Sequence, residues 1–203
     1  MMRSFLPFLP YHNAFTPTAQ WSGRVVVSFL IPYTEAMQEY VTDAIILRKE
    51  PQGDLDGRYT LFTKRFGKIA AKAKSSRKIT SKLASHLEPG TLAKIRFIDT
   101  KGTQLIDALK SDRVALALAD LHSLSRLLPD VEPEPALWEL LTHGAFSWQE
   151  TLSILGWDPE EAECATCGDR SPAYFYITRQ EFYCRTHASK APRDAVISID
   201  ARL

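Results

Sequence analysis

Between Val41 and Lys110 apolar and polar positions alternate in short blocks separated by turn-forming clusters, a period-two pattern that belongs to strands rather than helices. Asp43–Lys49 reads as a first strand, followed by the turn cluster Pro51-Gln52-Gly53-Asp54-Leu55-Asp56-Gly57. Arg58–Lys64, rich in β-formers, reads as a second strand, and Gly67 ends the turn into a third, Lys68–Lys74. A basic, polar segment from Ser75 to Ser85 leads to a fourth strand, Thr91–Ile98. Gly102 marks the turn before a fifth, Thr103–Leu109. Five short strands in about 70 residues match the size and strand count of an OB-type barrel, although periodicity alone does not exclude an SH3-like barrel of similar length.

After Ser111 the period becomes helical. Val114, Ala117, Leu118, Leu121, Leu124 and Leu128 recur at three- and four-residue steps, with Ser111 as the expected N-cap and Pro129 as the stop. Glu132-Pro133-Glu134-Pro135 opens a second helix through Trp138, Leu141 and Thr142. A third runs from about Ser147 to Leu155 and closes at Gly156. The first 39 residues differ from the rest, because Pro7, Pro10, Pro17 and Pro32 interrupt each apolar run. Val25–Ile31 reads there as one added strand, and Met37, just ahead of the patterned region, as an alternative start. The expected division is therefore an extension (1–39), an OB domain (40–110), a helical domain (111–160), a small metal module (161–190) and a tail (191–203).

The net charge of +1 conceals an asymmetry that bears on partners. Val41–Lys110 carries 15 Lys and Arg against 7 Asp and Glu, a net of +8. The remainder carries 10 against 17, a net of −7. The first part is suited to a polyanion and the second is not. No run approaches the roughly 20 apolar residues needed to cross a bilayer. Three cysteines cannot all pair within one chain, and Cys164-Ala-Thr-Cys167 favours a metal in a reducing compartment over a disulfide framework.

That pair is followed, after sixteen residues, by Cys184-x-x-His187. Two chelating pairs on tight turns supply the thiolate and imidazole donors of a tetrahedral, closed structural zinc site for one ion: Cys164, Cys167, Cys184 and His187. Ala173–Ile177 and Glu181–Tyr183 read as the hairpin that joins them, and Gly168 as the knuckle residue needing unusual backbone angles. The second cluster is cationic. Lys64, Arg65, Lys68, Lys72, Lys74, Arg77, Lys78 and Lys82 lie within 19 residues, and Lys68, Lys72 and Lys74 share one strand face. Such a surface gives salt-dependent, sequence-tolerant contact with nucleic-acid phosphates. The interleaved Tyr59, Phe62 and Phe66 are read as core rather than as base-stacking platforms. The sequence holds no phosphate loop, nucleophile elbow, paired-carboxylate motif or deaminase signature, so a non-enzymatic binding protein is expected.

Taken together these residues resemble the RecO family of bacterial recombination mediators. Asp43-Ala44-Ile45-Ile46-Leu47-Arg48 is similar to the family's opening strand, and Thr60-Leu61-Phe62-Thr63 with Gly67-Lys68 to its second strand and turn. Ala73-Lys74-Ser75-Ser76-Arg77-Lys78 with Ser81, then Leu87-Glu88-Pro89, resembles its basic loop. Leu155-Gly156-Trp157-Asp158-Pro159, leading into Cys164, resembles the helical exit before its zinc knuckle. The resemblance covers roughly Tyr40 to Ala188. His187 stands where a fourth cysteine is common, and the segment from Asp112 to Leu155 is short for the family. The resemblance implies a cytoplasmic, nucleoid-associated DNA repair protein that binds single- and double-stranded DNA and anneals complementary strands. It implies work with RecR to load RecA, and docking of the acidic tail of the single-strand-binding protein. By the same resemblance Arg48, Lys68, Lys72, Lys74, Arg77 and Lys78 would contact DNA, while Cys164, Cys167, Cys184 and His187 would hold zinc. The competing expectation is an OB-fold and zinc-knuckle adaptor that binds RNA or acts in transcription or translation.

Overall fold

The computed structural model describes residues 38–99, 102–190 and 192–199. The strand expected at Val25–Ile31 and the alternative start at Met37 lie outside them. Five strands close into a barrel: β1 (Gln38–Gln52), β2 (Asp56–Thr63), β3 (Gly67–Ala73), β4 (Thr91–Asp99) and β5 (Thr103–Arg113). Their order is β1-β2-β3-β5-β4, every pair antiparallel except β3 with β5, and β1 closes the barrel against β4. This is the OB arrangement, and the SH3-like alternative falls away. Gln38 and Glu39, placed by sequence in the extension, belong to β1, where they pair with Asp99 and Ile98.

β1 carries the architecture because it serves two partners at once. Its first half pairs with β4 and its second with β2, overlapping at Ala44 and Ile45, and the ladder shifts register between Ile46 and Arg48. A bulge of this kind bends a long strand enough to serve both neighbours. Both faces of its centre are covered. Ala44 and Ile46 point into the barrel with Tyr59, Leu61, Ile95 and Phe97. Ile45 and Leu47 point outward into a second core with Phe62, Leu121, Leu124, Leu137 and Trp138. A strand buried on both faces needs an unbroken apolar run, which explains why Ala44–Leu47 does not alternate.

The second core is made by α1 (Leu118–Leu127), α2 (Pro135–His143) and α3 (Trp148–Ile154), together with Phe175, Ile177 and Ile197 of a small sheet. Pro135 starts α2. Ser147 caps α3, its hydroxyl accepting from the Glu150 amide, and Gly156 closes that helix with φ +92°. Two sequence expectations are corrected here. Ser111 is not a helix cap: β5 continues to Arg113, pairing Asp112 with Leu92 and Arg113 with Thr91, and the Ser111 hydroxyl donates to the Leu92 carbonyl. The ladder therefore takes residues that a helical count alone assigns to α1, and Leu118 of the expected stripe is exposed. Nor is the segment after residue 190 only a tail. β8 (Val196–Ser198) pairs with β6 (Tyr174–Tyr176), which pairs in turn with β7 (Glu181–Tyr183).

Candidate nucleic-acid interface and metal centre

Alternation on β3 buries Ile69, Ala71 and Ala73 inside the barrel and turns Lys68, Ala70 and Lys72 outward. The outward residues face two different surroundings. At one end of the β2–β3 face Phe62 lies opposite Lys68, and its ring packs 5.9 Å from that of Trp138 on α2. Lys68 Nζ there donates to the Ser125 carbonyl at 3.1 Å and lies 3.2 Å from Asp130. Its side chain keeps only 13% of its exposure, so this lysine is committed to the contact between barrel and helices. At the other end Lys72 lies opposite Arg58, and both line an open groove of about 330 Å³ with Gln52, Ala70 and Gln104. Arg58 is absent from the sequence-based set. The available signal was its even spacing from Thr60 on an alternating strand.

Asp56 joins this groove to the basic loop that follows β3. Its carboxylate accepts from the Ser75 amide at 2.8 Å and pairs with Lys72 at 3.0 Å, and these two partners hold its pKa below the ordinary value. Ser75 adopts φ +52°, and the buried Ser76 hydroxyl donates to the Ala73 carbonyl. Arg77 anchors the loop base to the β1–β2 turn: its amide donates to the Leu55 carbonyl at 2.9 Å and its guanidinium to the carbonyls of Gly53 and Asp54. Lys74, Lys78 and Lys82 are exposed and have no ion pair or hydrogen bond from their ammonium groups among the described residues. The remaining candidates are paired more loosely. Arg48 lies 2.9 Å from Glu50, Lys64 lies 3.7 Å from Glu139, and Arg65 covers the Phe66 ring at 5.2 Å. Residues 57–87 contain no Asp or Glu at all, so no carboxylate within this stretch offsets its cations.

Tyr59 and Phe62 are in the core, and Phe66 is partly buried against it. Tyr59 fills the barrel, Phe62 joins barrel to helices, and Phe66 meets Tyr40 and Phe97 edge-on.

At the other end of the chain the four expected ligands converge. The donor atoms of Cys164, Cys167, Cys184 and His187 all lie within 4.8 Å of one another. His187 Nδ1 is 3.6 Å from Cys164 Sγ and 3.3 Å from Cys184 Sγ, and the Cys167 and Cys184 sulfurs are 3.9 Å apart. A tetrahedral zinc ion has donor–donor edges of about 3.8 Å between sulfurs and about 3.6 Å from sulfur to nitrogen, given its usual bond lengths. The three separations given lie close to those edges, so the donor set is compatible with such an ion. Local structure explains the convergence. Gly168 (φ +71°) lets the first pair turn back, its amide donating to the Cys164 carbonyl. Cys184 caps the short helix α4 (Arg185–Ala188), which carries His187 back over it. Burial of Cys164 pushes its thiol pKa up, but the backbone amides of Cys184, Thr166 and Cys167 outweigh that and bring it down to about 6. None of the three cysteines is in a disulfide.

A closed OB-type barrel with a cation-rich edge, backed by helices and a Cys₃His cluster, defines a class of small modular proteins. Residues 37–112 match the family profile described as Recombination protein O N terminal. The chain is 31% identical to DNA repair protein RecO of Thermodesulfovibrio yellowstonii, over a region that covers 74% of this chain and 70% of that protein. It is 33% identical to DNA repair protein RecO of Dehalococcoides mccartyi, covering 64% of this chain and 61% of the relative, and 30% identical to that of Myxococcus xanthus over about half of each. The chain belongs to the RecO family.

Proposed function

We propose that this protein acts in DNA repair and recombination as a non-catalytic mediator that binds single- and double-stranded DNA through the outer edge of its barrel. The observation that carries this reading is the continuity of the cationic surface from Arg58 and Lys72, through Asp56, to the unpaired Lys74, Lys78 and Lys82. Ammonium groups without protein partners displace counterions from phosphates at least cost, whereas paired ones must first give up a bond. Arg48, Lys64, Arg65 and Arg77 contribute at the margin, and Lys68 through the fold. In this reading Cys164, Cys167, Cys184 and His187 hold one structural zinc ion that fixes the β6–β8 sheet. Strand annealing, RecA loading and association with RecR are the activities that family membership suggests. Docking of the acidic tail of the single-strand-binding protein is a further activity that family membership suggests.

The test is a salt titration of binding to fluorescent single-stranded DNA, with matched RNA and an annealing assay in parallel. Neutralising Lys74, Lys78 and Lys82 together is expected to reduce the slope of log affinity against log salt by about 2, at roughly 0.7 per single-strand phosphate contact. No binding at low salt refutes the proposal. Equal preference for RNA moves the reading to an RNA-binding adaptor.

A further inference from the structure

The basic loop carries one residue that its charge does not explain. Ile79 is fully exposed, at 104% of its reference area, and lies between Lys78 and Lys82. Two successive turns build the segment: the Lys78 amide donates to the Ser75 carbonyl and the Ser81 amide to the Lys78 carbonyl. Ile79 therefore occupies the first central position of the outer turn, at the apex. Turn centres favour Gly, Pro, Asn, Asp and Ser, and a β-branched aliphatic there contributes nothing to folding. A lone exposed aliphatic on an ordinary surface needs no explanation. This one stands among cations, on a stretch without a carboxylate, and its base is clamped. Arg77 is fastened to three carbonyls of the β1–β2 turn, and Asp56 and Ser76 hold the β3 end. The loop is thus held at its base while Ile79 projects from its apex beside Lys78 and Lys82. Leu55, 46% exposed in the adjoining turn, adds a second apolar group beside the base.

We propose that Ile79 is an apolar wedge that packs against unstacked bases of bound DNA, while Lys74, Lys78 and Lys82 hold the flanking phosphates. The inference rests on the DNA-binding reading above and deepens it. Apolar side chains that enter between bases gain contact only with faces that are already, or become, unstacked. A wedge beside phosphate anchors therefore favours single strands and frayed junctions over intact duplex.

The experiment compares the unchanged full chain with Ile79→Ser and Ile79→Leu, using an oligonucleotide that carries 2-aminopurine, a base whose fluorescence rises when it unstacks. Ile79→Ser is expected to weaken single-strand binding about tenfold, the scale of burying one aliphatic side chain. The salt slope should stay unchanged, because no charge is removed. The fluorescence rise on binding should be lost with Ile79→Ser and kept with Ile79→Leu. Equal affinity and an equal fluorescence rise for Ile79→Ser overturn the wedge while leaving DNA binding intact. A weakened affinity with a shallower slope also overturns it, since the substitution would then act through the lysines. Failure of the parent reading looks different, as no binding by the unchanged protein, and overturns both.

Discussion

Replacing Lys68 with alanine separates the two roles available to a lysine on this strand. Its ammonium donates to the Ser125 carbonyl, one of the last four carbonyls of α1, which the helix itself cannot satisfy. Losing a charge-assisted hydrogen bond at such a site costs about 1.5–3 kcal/mol. The Asp130 carboxylate keeps 81% of its exposure, so that ion pair adds about 0.5 kcal/mol or less. The sum is about 2 kcal/mol, which for a chain of this size lowers the melting temperature by roughly 4–8 °C. Lys74→Ala removes a solvated ammonium that makes no hydrogen bond or close ion pair among the described residues and attracts Asp56 only at longer range, and its effect on stability is expected to be within about 0.5 kcal/mol. DNA binding should show the reverse order. Lys74→Ala should reduce the single-strand salt slope by about 0.7 and Lys68→Ala should leave it unchanged. Thermal melting followed by circular dichroism, with salt titrations on the same two preparations, reads both axes. A Lys68→Ala protein that melts normally but binds with a shallower slope refutes the argument, and would mean that this ammonium faces phosphate and not α1.

Two further outcomes test the frame around the site. Gly67→Ala should destabilise the protein by about 3 kcal/mol or more in denaturant titration: the residue has φ +66°, and an added Cβ would meet the backbone of Glu132, whose nitrogen would lie 2.6 Å away, displacing the linker that bonds Val131 to the Lys68 carbonyl. A zinc chelator, or Cys184→Ser, should release one metal ion per chain by elemental analysis and lower the melting temperature of the whole described fold; retention of an unchanged melting profile would contradict a structural ion.

What the sequence disclosed and what it withheld divide along a physical line. The spacing of Cys164, Cys167, Cys184 and His187 is local chemistry, and each pair closes on its own turn, so spacing alone points to the cluster. The strands of the barrel are likewise written in period two, and so were visible to within a few residues at most of their ends. Contacts between distant segments are not written that way. Lys68 and Lys72 have the same spacing and charge, and their roles part only because Ser125 and Asp130 arrive from more than fifty residues away. Ser111 is as good a helix cap as any, until the β4–β5 ladder runs past it and leaves it at a register shift with its hydroxyl on the Leu92 carbonyl. β8 has three residues and no periodicity to detect, and it exists because β6 presents an edge.

The same distant contacts decide where a nucleic-acid strand can run. β2 and β3 present one outer face, but Trp138 and the 130–132 linker cover its Phe62 and Lys68 end. Thr60 lies opposite Ala70 at the boundary, and only the stretch through Arg58 and Lys72 remains open. A strand entering the groove beside Gln104 therefore cannot cross the sheet over Phe62 and Lys68, and meets β1 only at its Gln52 end. Its open course turns past Asp56, the carboxylate that Lys72 and the Ser75 amide neutralise, and onto the loop that carries Lys74, Lys78 and Lys82. Asp56 would repel a phosphate if left bare, so its two partners matter for binding although neither is among the freest cations. Substituting Asp56 with asparagine should on this argument leave phosphate binding no weaker, whereas Lys72→Ala should weaken it by more than one contact is worth, because it both removes a cation and uncovers an anion.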